Sequence, residues 1–349
     1  MGAVKLTAFL PALTRLSPDA AVDGADVTES KSIRAVPVGP SESRPPKLGS
    51  MTVPSPYADL LSVMDARAHT LSVLGSDTRY WEYGDPTSAT TIVMVHGFRG
   101  DHHGLEAVVA QLNGLRIIAP DLPGFGESAA FPAAPHTVES YAAWLSEFLR
   151  LADLPGRVVV LGHSFGSIIV AAAAADGALP AHDLVLVNPI AAPALAGPRG
   201  VLTRLAVFYY WLGATLPERL GFALLRNRII VRVMSITMVK TRSRQRRRWI
   251  HDQHDRYFSA FADRTVVLEA FRASVGHDVS EYAGSISTRT LLIAAEKDDI
   301  TPVAAQVTLR AQFADAELHV IPGVGHLIHY EVPEAAAAQL RRFLAGDAS

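Results

Sequence analysis

The chain contains no cysteine. Disulfides, thiolate nucleophiles and cysteine-ligated zinc sites are therefore excluded, while the redox compartment is left open. A strong charge bias is missing too: 32 lysines and arginines stand against 34 aspartates and glutamates, a formal net charge of −2. That balance suggests neither a nucleic-acid binder nor an acidic tail. There is also no apolar run of the roughly 18 residues expected of a membrane-spanning helix. The richest stretch, Leu205 to Leu216, is shorter and runs into Pro217-Glu218-Arg219. Lys5 followed by Leu6 to Leu16 has a faint likeness to a signal sequence, but Pro11 and Arg15 interrupt it and no clear small-residue cleavage site follows. A cytoplasmic protein is the expectation.

What the chain does have is 349 residues with a 49% hydrophobic share, enough for one large domain carrying an insertion. From Ser17 to Pro56 the composition shifts to Pro, Ser, Asp and Glu, so residues 1–56 are expected to form a disordered leader. Ordered structure is expected from about His69. His69 to Leu74 and Arg79 to Tyr83 read as an edge hairpin, followed by strands at Thr91 to Val95 and Leu115 to Ala119. A helix is expected over Gly104 to Leu112, and another over Val138 to Leu151 with Thr137 as N-cap. Further strands fall at Val158 to Leu161, Leu184 to Val187, Thr290 to Ala295 and Leu318 to Ile321, with a last helix from Pro333 to Phe343. Continuous apolar strands alternating with amphipathic helices mean a mostly parallel, doubly wound sheet covered on both faces. The alternation stops after the sixth strand, where the pattern turns helical. The expected divisions are core over residues 57–190, a helical cap over 191–286, and core again over 287–349. A cap in that position covers the strand C-terminal ends, where ligands bind in open α/β sheets.

The chemistry centres on Gly162-His163-Ser164-Phe165-Gly166, which follows an apolar strand and precedes a small-residue helix. This is the G-x-S-x-G pattern in the strand–turn–helix context it requires, with glycines where the chain passes itself closely. A serine hydroxyl needs a base, and the base needs a group to orient it. His326, in the glycine-bearing loop after the last strand, is the best base. The carboxylate should follow the preceding strand, in Glu296-Lys297-Asp298-Asp299. Asp121 sits in a Pro-Gly-rich loop that suggests a turn-fixing role, and His102 and His103 read as solvated loop residues. The scattered histidines and carboxylates form no convincing metal site.

At this point the chain resembles an α/β-hydrolase of the capped esterase, haloperoxidase and C–C hydrolase-like group. His96-Gly97-Phe98, Asp121-Leu122-Pro123-Gly124-Phe125-Gly126, Gly162-His163-Ser164-Phe165-Gly166, Asp298 with Pro302, and Gly325-His326 carry the likeness, across roughly residues 70–190 and 287–345. The resemblance implies an α/β-hydrolase fold with Ser164 as nucleophile, His326 as base and Asp298, four residues before Pro302, as the acid in preference to Asp299. It implies an oxyanion hole from the backbone N–H groups of Phe98 and Phe165. Two departures stand out: Ala295 where the family usually has glycine, and Ser167 where a second glycine is frequent. A serine at position 164 also separates the chain from epoxide hydrolases and haloalkane dehalogenases, which resemble it but use an aspartate there.

The expected function is cofactor-independent hydrolysis of a small apolar ester through an acyl-enzyme, with no metal. Alternatives are a C–C hydrolase of ring-cleavage diketones, a carrier thioesterase, or a non-catalytic binding homologue. The cap is apolar and aromatic, so His163, Phe208, Trp211, Leu212 and Leu327 are the candidate pocket residues. Its interleaved arginines, Arg204, Arg219, Arg226, Arg228 and Arg232, also suit peripheral contact with a membrane surface. The Arg242–Arg248 run reads first as a solvated helix face, with anionic headgroups or phosphates next and nucleic acid least.

Overall fold

The computed structural model describes residues 53–177, 179–192 and 200–346, with side chains from residue 203 onward in the last stretch. The expected leader therefore lies outside the described residues as far as residue 52. The described chain is ordered earlier than expected. Tyr57 is buried, packs edge-on against Trp249 and donates its hydroxyl to Glu334 at 3.1 Å. A short helix, Ala58–Ser62, then leads to strand β1 (Ala66–Val73).

The other strands are β2 (Ser76–Gly84), β3 (Thr90–Val95), β4 (Arg116–Pro120), β5 (Arg157–His163), β6 (Asp183–Val187), β7 (Thr290–Ala295) and β8 (Ala316–Ile321). They form one sheet in the order β1-β2-β4-β3-β5-β6-β7-β8. The β1–β2 hairpin is antiparallel and joins β4 antiparallel, while β4 through β8 run parallel. Period-two side-chain alternation divides the apolar strands between two cores. Val158 and Val160 of β5 enter one with the helices Val138–Leu151 and Phe165–Ala175; Val159 and Leu161 enter the other with helix Pro333–Ala345. The fold is the mostly parallel, doubly wound sheet that the sequence pattern describes.

Local signals mostly hold. Thr137 caps helix Val138–Leu151 by accepting the Ser140 N–H at 3.3 Å. The helix expected over Gly104 to Leu112 is shorter, a 3-10 turn His102–Leu105 followed by one α-turn, Glu106–Val109. The chain tightens there because Asp101 accepts the His103 N–H at 3.1 Å at the start of the turn. Between β6 and β7 lie the cap helices Gly200–Thr215, Glu218–Leu225, Arg228–Met238, Arg244–Tyr257 and Arg264–Gly276. The cap is tied back to the core loop after β4 through Gly126 N to Ala260 O (3.0 Å) and Ala262 N to Gly124 O (2.9 Å).

The crossing of β5 and its following helix beneath β3 has no room for side chains. A Cβ on Gly166 would lie 2.3 Å from the Val95 carbonyl oxygen, and one on Gly162 would lie 2.5 Å from that of Gly166. Both neighbours are backbone, so nothing can swing aside. Gly166→Ala should therefore cost about 2 kcal/mol or more in urea unfolding, whereas Gly276→Ala, with open space around it, should be near neutral.

Candidate active site

Ser164 sits at the tip of the β5–helix turn with φ 53° and ψ −116°, a conformation that side chains disfavour. The strain is held from three sides. Ser164 N–H donates to Val187 O on β6 at 3.1 Å, and Ser167 N–H donates to Ser164 O at 2.9 Å. The Ser167 hydroxyl also donates to Ser164 O and accepts the Ile190 N–H at 3.3 Å. Ser167, one of the two departures from the resembled pattern, is thus a strut across the turn.

His326, on the loop after β8, places Nε2 2.8 Å from Ser164 Oγ and Nδ1 2.8 Å from Asp298 Oδ2. An ionised carboxylate only accepts, so Nδ1 carries the proton and Nε2 is free to accept from the serine hydroxyl. The other Asp298 oxygen accepts the N–H groups of Ile300 (2.7 Å) and Thr301 (3.2 Å). Burial opposes a charge on Asp298, but the charge and hydrogen bond of His326, with those two amides, outweigh it and hold the carboxyl below its usual range. Asp299 instead pairs with Lys240 at the surface.

Phe98 and Phe165 both border the cavity at Ser164. Phe165 opens the helix Phe165–Ala175, where a first-turn N–H lacks an intrahelical partner. The Gly97 segment lies against the serine: a Cβ there would stand 3.2 Å from Ser164 Cβ. His96 supports this loop, with Nε2 accepting the Leu122 N–H at 2.9 Å and Nδ1 donating to Gly97 O at 2.8 Å.

Above the serine lies a cavity of about 270 Å³. Its walls include His163 and Leu327, two of the expected pocket residues, with Ala206, Tyr210, Met234, Met238, Phe258 and Phe271 from the cap. Phe208, Trp211 and Leu212 are not among them. On an α-helix of roughly 100° per residue, Ala206 and Tyr210 share the cavity face and Phe208 points nearly opposite. Accordingly Phe208 and Trp211 are exposed, stacked on each other outside, and Leu212 is half-buried.

His102 also departs from its expected place. It is buried, stacks on Trp81 and places Nδ1 3.0 Å from Asp121 Oδ1, whose carboxylate takes the His102 and Glu127 N–H groups at 2.8 Å each. Asp121 thus organises the loop, and His102 is part of that scaffold. His103 is half-buried; burial lowers its pKa, but the hydrogen bond and charge of Asp101, with Glu106 and Asp121, prevail and push it up to about 8. Asp101, His102 and His103 bring three ligand-type atoms within 4.8 Å among the described residues. Each histidine's Nδ1 already faces a carboxylate, at 3.0 Å for His102 and 3.4 Å for His103.

Three groups around the site escaped sequence reasoning. Asn188, at φ 45° after β6, is fully buried and donates Nδ2 to the His326 carbonyl at 2.6 Å, bracing the histidine loop. Arg99, next to Phe98, is buried and donates to the cap carbonyls of Phe258 (2.8 Å) and Leu225 (2.9 Å), so it ties the Phe98 loop to the cap. Ser235 joins His251 and His254 at 2.6 and 2.7 Å inside the cap, with His254 on the cavity wall. Only Asn188 left a local signal: asparagine tolerates positive φ where a strand must end abruptly.

A strained serine turn at the C-terminal edge of a parallel sheet, facing a histidine–aspartate pair beneath a helical cap, defines the α/β-hydrolase class of site. The model of the alpha/beta hydrolase family matches residues 92–339, and the chain belongs to that family. It is 29% identical over 124 residues to Lipase 1 of Psychrobacter immobilis, a match covering 36% of this chain and 39% of the lipase. The esterase EaEST from Exiguobacterium antarcticum has a similar fold, with TM-score 0.64 and 18% identity over 79% of this chain and 98% of that one. The enol-lactonase from Burkholderia xenovorans LB400 aligns with TM-score 0.64 and 21% identity, over 79% and 99% of the two chains.

The buried histidines make stability pH-dependent. Burial, then the charge of His326, pushes His163 down to about 3; burial, then His251 and Arg232, does the same to His254. Unfolded imidazoles titrate near 6.5, so between about pH 3 and 6.5 the unfolded chain binds more protons. The contribution is complete above that window and is lost as pH falls through it. From these two histidines, urea unfolding at about pH 5 should show a stability roughly 4 kcal/mol below that at neutral pH, and His254→Gln should remove about half of that dependence.

Proposed function

We propose that this hydrolase cleaves a carboxylic ester with an apolar acyl group through an acyl-enzyme. The observation that carries the reading is the pair of 2.8 Å contacts from one imidazole to Ser164 Oγ and Asp298 Oδ2. As Ser164 Oγ attacks the ester carbonyl, its proton passes to His326 Nε2, and Asp298 stabilises the imidazolium through Nδ1–H. The developing oxyanion is placed to receive the N–H groups of Phe98 and Phe165; such donors typically contribute about 3 kcal/mol each. Collapse breaks the ester C–O bond, and His326 returns the proton to the leaving alcohol. Water, deprotonated by the same Nε2, then adds to the acyl carbonyl, and Ser164 leaves with the proton.

The cavity supports an apolar acyl group of moderate length. Its volume of about 270 Å³ lies near the lower end of small-molecule sites, and methionine, aromatic and aliphatic side chains dominate its wall. The carbon–carbon alternative calls for cations to hold a carboxylate-bearing dienoate. No arginine or lysine lines the cavity among the described residues, and Arg99 turns its guanidinium to cap carbonyls. The ester reading is therefore the one the site favours.

On p-nitrophenyl esters of increasing acyl length, turnover should peak at medium chains. Ser164→Ala should lower kcat by about 10³-fold or more, and Asp298→Asn by about 10⁴-fold through the wrong His326 tautomer. A fluorophosphonate should label wild type stoichiometrically and Ser164→Ala not at all. Labelling without turnover at any chain length would overturn the ester and leave the nucleophile standing.

A further inference from the structure

The aromatic side chains that miss the cavity belong to a larger pattern. On helix Gly200–Thr215, Leu205, Phe208 and Trp211 are exposed; on Glu218–Leu225, Leu220 is. Helix Arg228–Met238 exposes Ile229 (75%), Val233 (55%) and Ile236 (48%), while Met234 and Met238 of the same helix line the cavity. The first and third of these helices wall one cavity with their inner faces, so their apolar outer faces point away from it. Isolated exposed apolar residues need no explanation, but a series along consecutive helices does.

Charge gives the second observation. Residues 191–251, the first part of the cap, contain twelve lysines and arginines against a single acidic residue, Glu218. The rest of the chain holds twenty basic and thirty-three acidic residues. The near-zero net charge therefore hides a strongly cationic cap segment in an anionic protein. Arg204, Arg219 and Arg228 are exposed on the same three helices as the apolar residues, Arg244, Arg247 and Arg248 are exposed on the next helix, and none makes a salt bridge among the described residues.

We infer that the outer face of the cap docks on an anionic lipid bilayer. Apolar residues with a tryptophan enter the interfacial region while the arginines meet lipid phosphates. The anionic body is repelled by the same surface, which orients the protein cap-down. Two other occupants fit the charge less well. Residues 1–52 carry six basic and five acidic residues and so offer no complementary charge. A second copy applied face to face would oppose one cationic surface to another. Docking would bring the bilayer against the far side of the helix that carries Met234 and Met238, and so place lipophilic esters near the cavity. That last consequence rests on the ester reading; docking itself does not.

The test is flotation of the full chain with phosphatidylcholine vesicles, with and without phosphatidylglycerol. Binding should be at least about tenfold stronger to the anionic vesicles and fall with added salt. The double variant Phe208→Ser/Trp211→Ser and the triple variant Arg244→Gln/Arg247→Gln/Arg248→Gln should each weaken it about tenfold. Circular dichroism and thermal unfolding should be unchanged, showing that both variants fold. Absence of binding, equal binding to both vesicles, or indifference to both variants overturns the proposal. So does a concentration-dependent dimer that the same variants dissociate, which would assign the face to self-association. Binding is read without turnover, so failure here leaves the ester reading intact, and the converse holds.

Discussion

The structure depends on one close passage of backbone, where the turn after β5 crosses under β3 with no space for a Cβ at Gly162 or Gly166. That contact holds Ser164 at positive φ and lifts its hydroxyl above the sheet edge. Parallel strands put β6 and β7 alongside at the same edge, so Asn188 and Asp298 emerge where both can reach His326. The His326 loop after β8 then completes the hydrogen-bond line. A turn without this strain would lay the serine along the helix, out of reach of the imidazole.

The cap is held differently, by charged side chains that end on backbone carbonyls and amides. Arg99 reaches from the core loop to Phe258 and Leu225, and Arg264 reaches from its helix to Gly213 and Leu216. Glu331, buried just after the histidine loop, accepts the Lys240 N–H at the seam between cap and core. Such contacts satisfy helix ends that would otherwise lose hydrogen bonds on burial. They also couple the Phe98 loop and the His326 loop to the cap, so the cavity wall and the candidate catalytic groups share one scaffold.

Much of this was legible in the residues. The succession of strands along the chain, the helical insertion after the sixth strand, and the chemical candidates Ser164, Asp298 and His326 follow from periodicity, motif context and family likeness. The places of Phe208, Trp211, Leu212 and His102 did not. An apolar helix with little amphipathic contrast does not announce which face is inside, and Phe208 and Trp211 of Gly200–Thr215 turned out to be exposed while Tyr210 is buried. A histidine in a glycine-bearing loop looks solvated until Trp81 of β2 and Asp121, just after β4, close around it.

The sequence alone determined the class of fold and singled out Ser164, Asp298 and His326 as candidates, because motif context and family likeness add to short-range constraints. These are the two-residue period of buried strands, the helix after the elbow and the glycines that a close crossing demands. Tertiary structure decided the two 2.8 Å contacts on His326, the bracing by Asn188 and Arg99, and the size and lining of the cavity. Each joins residues far apart in the chain, and only packing sets which side chains meet there.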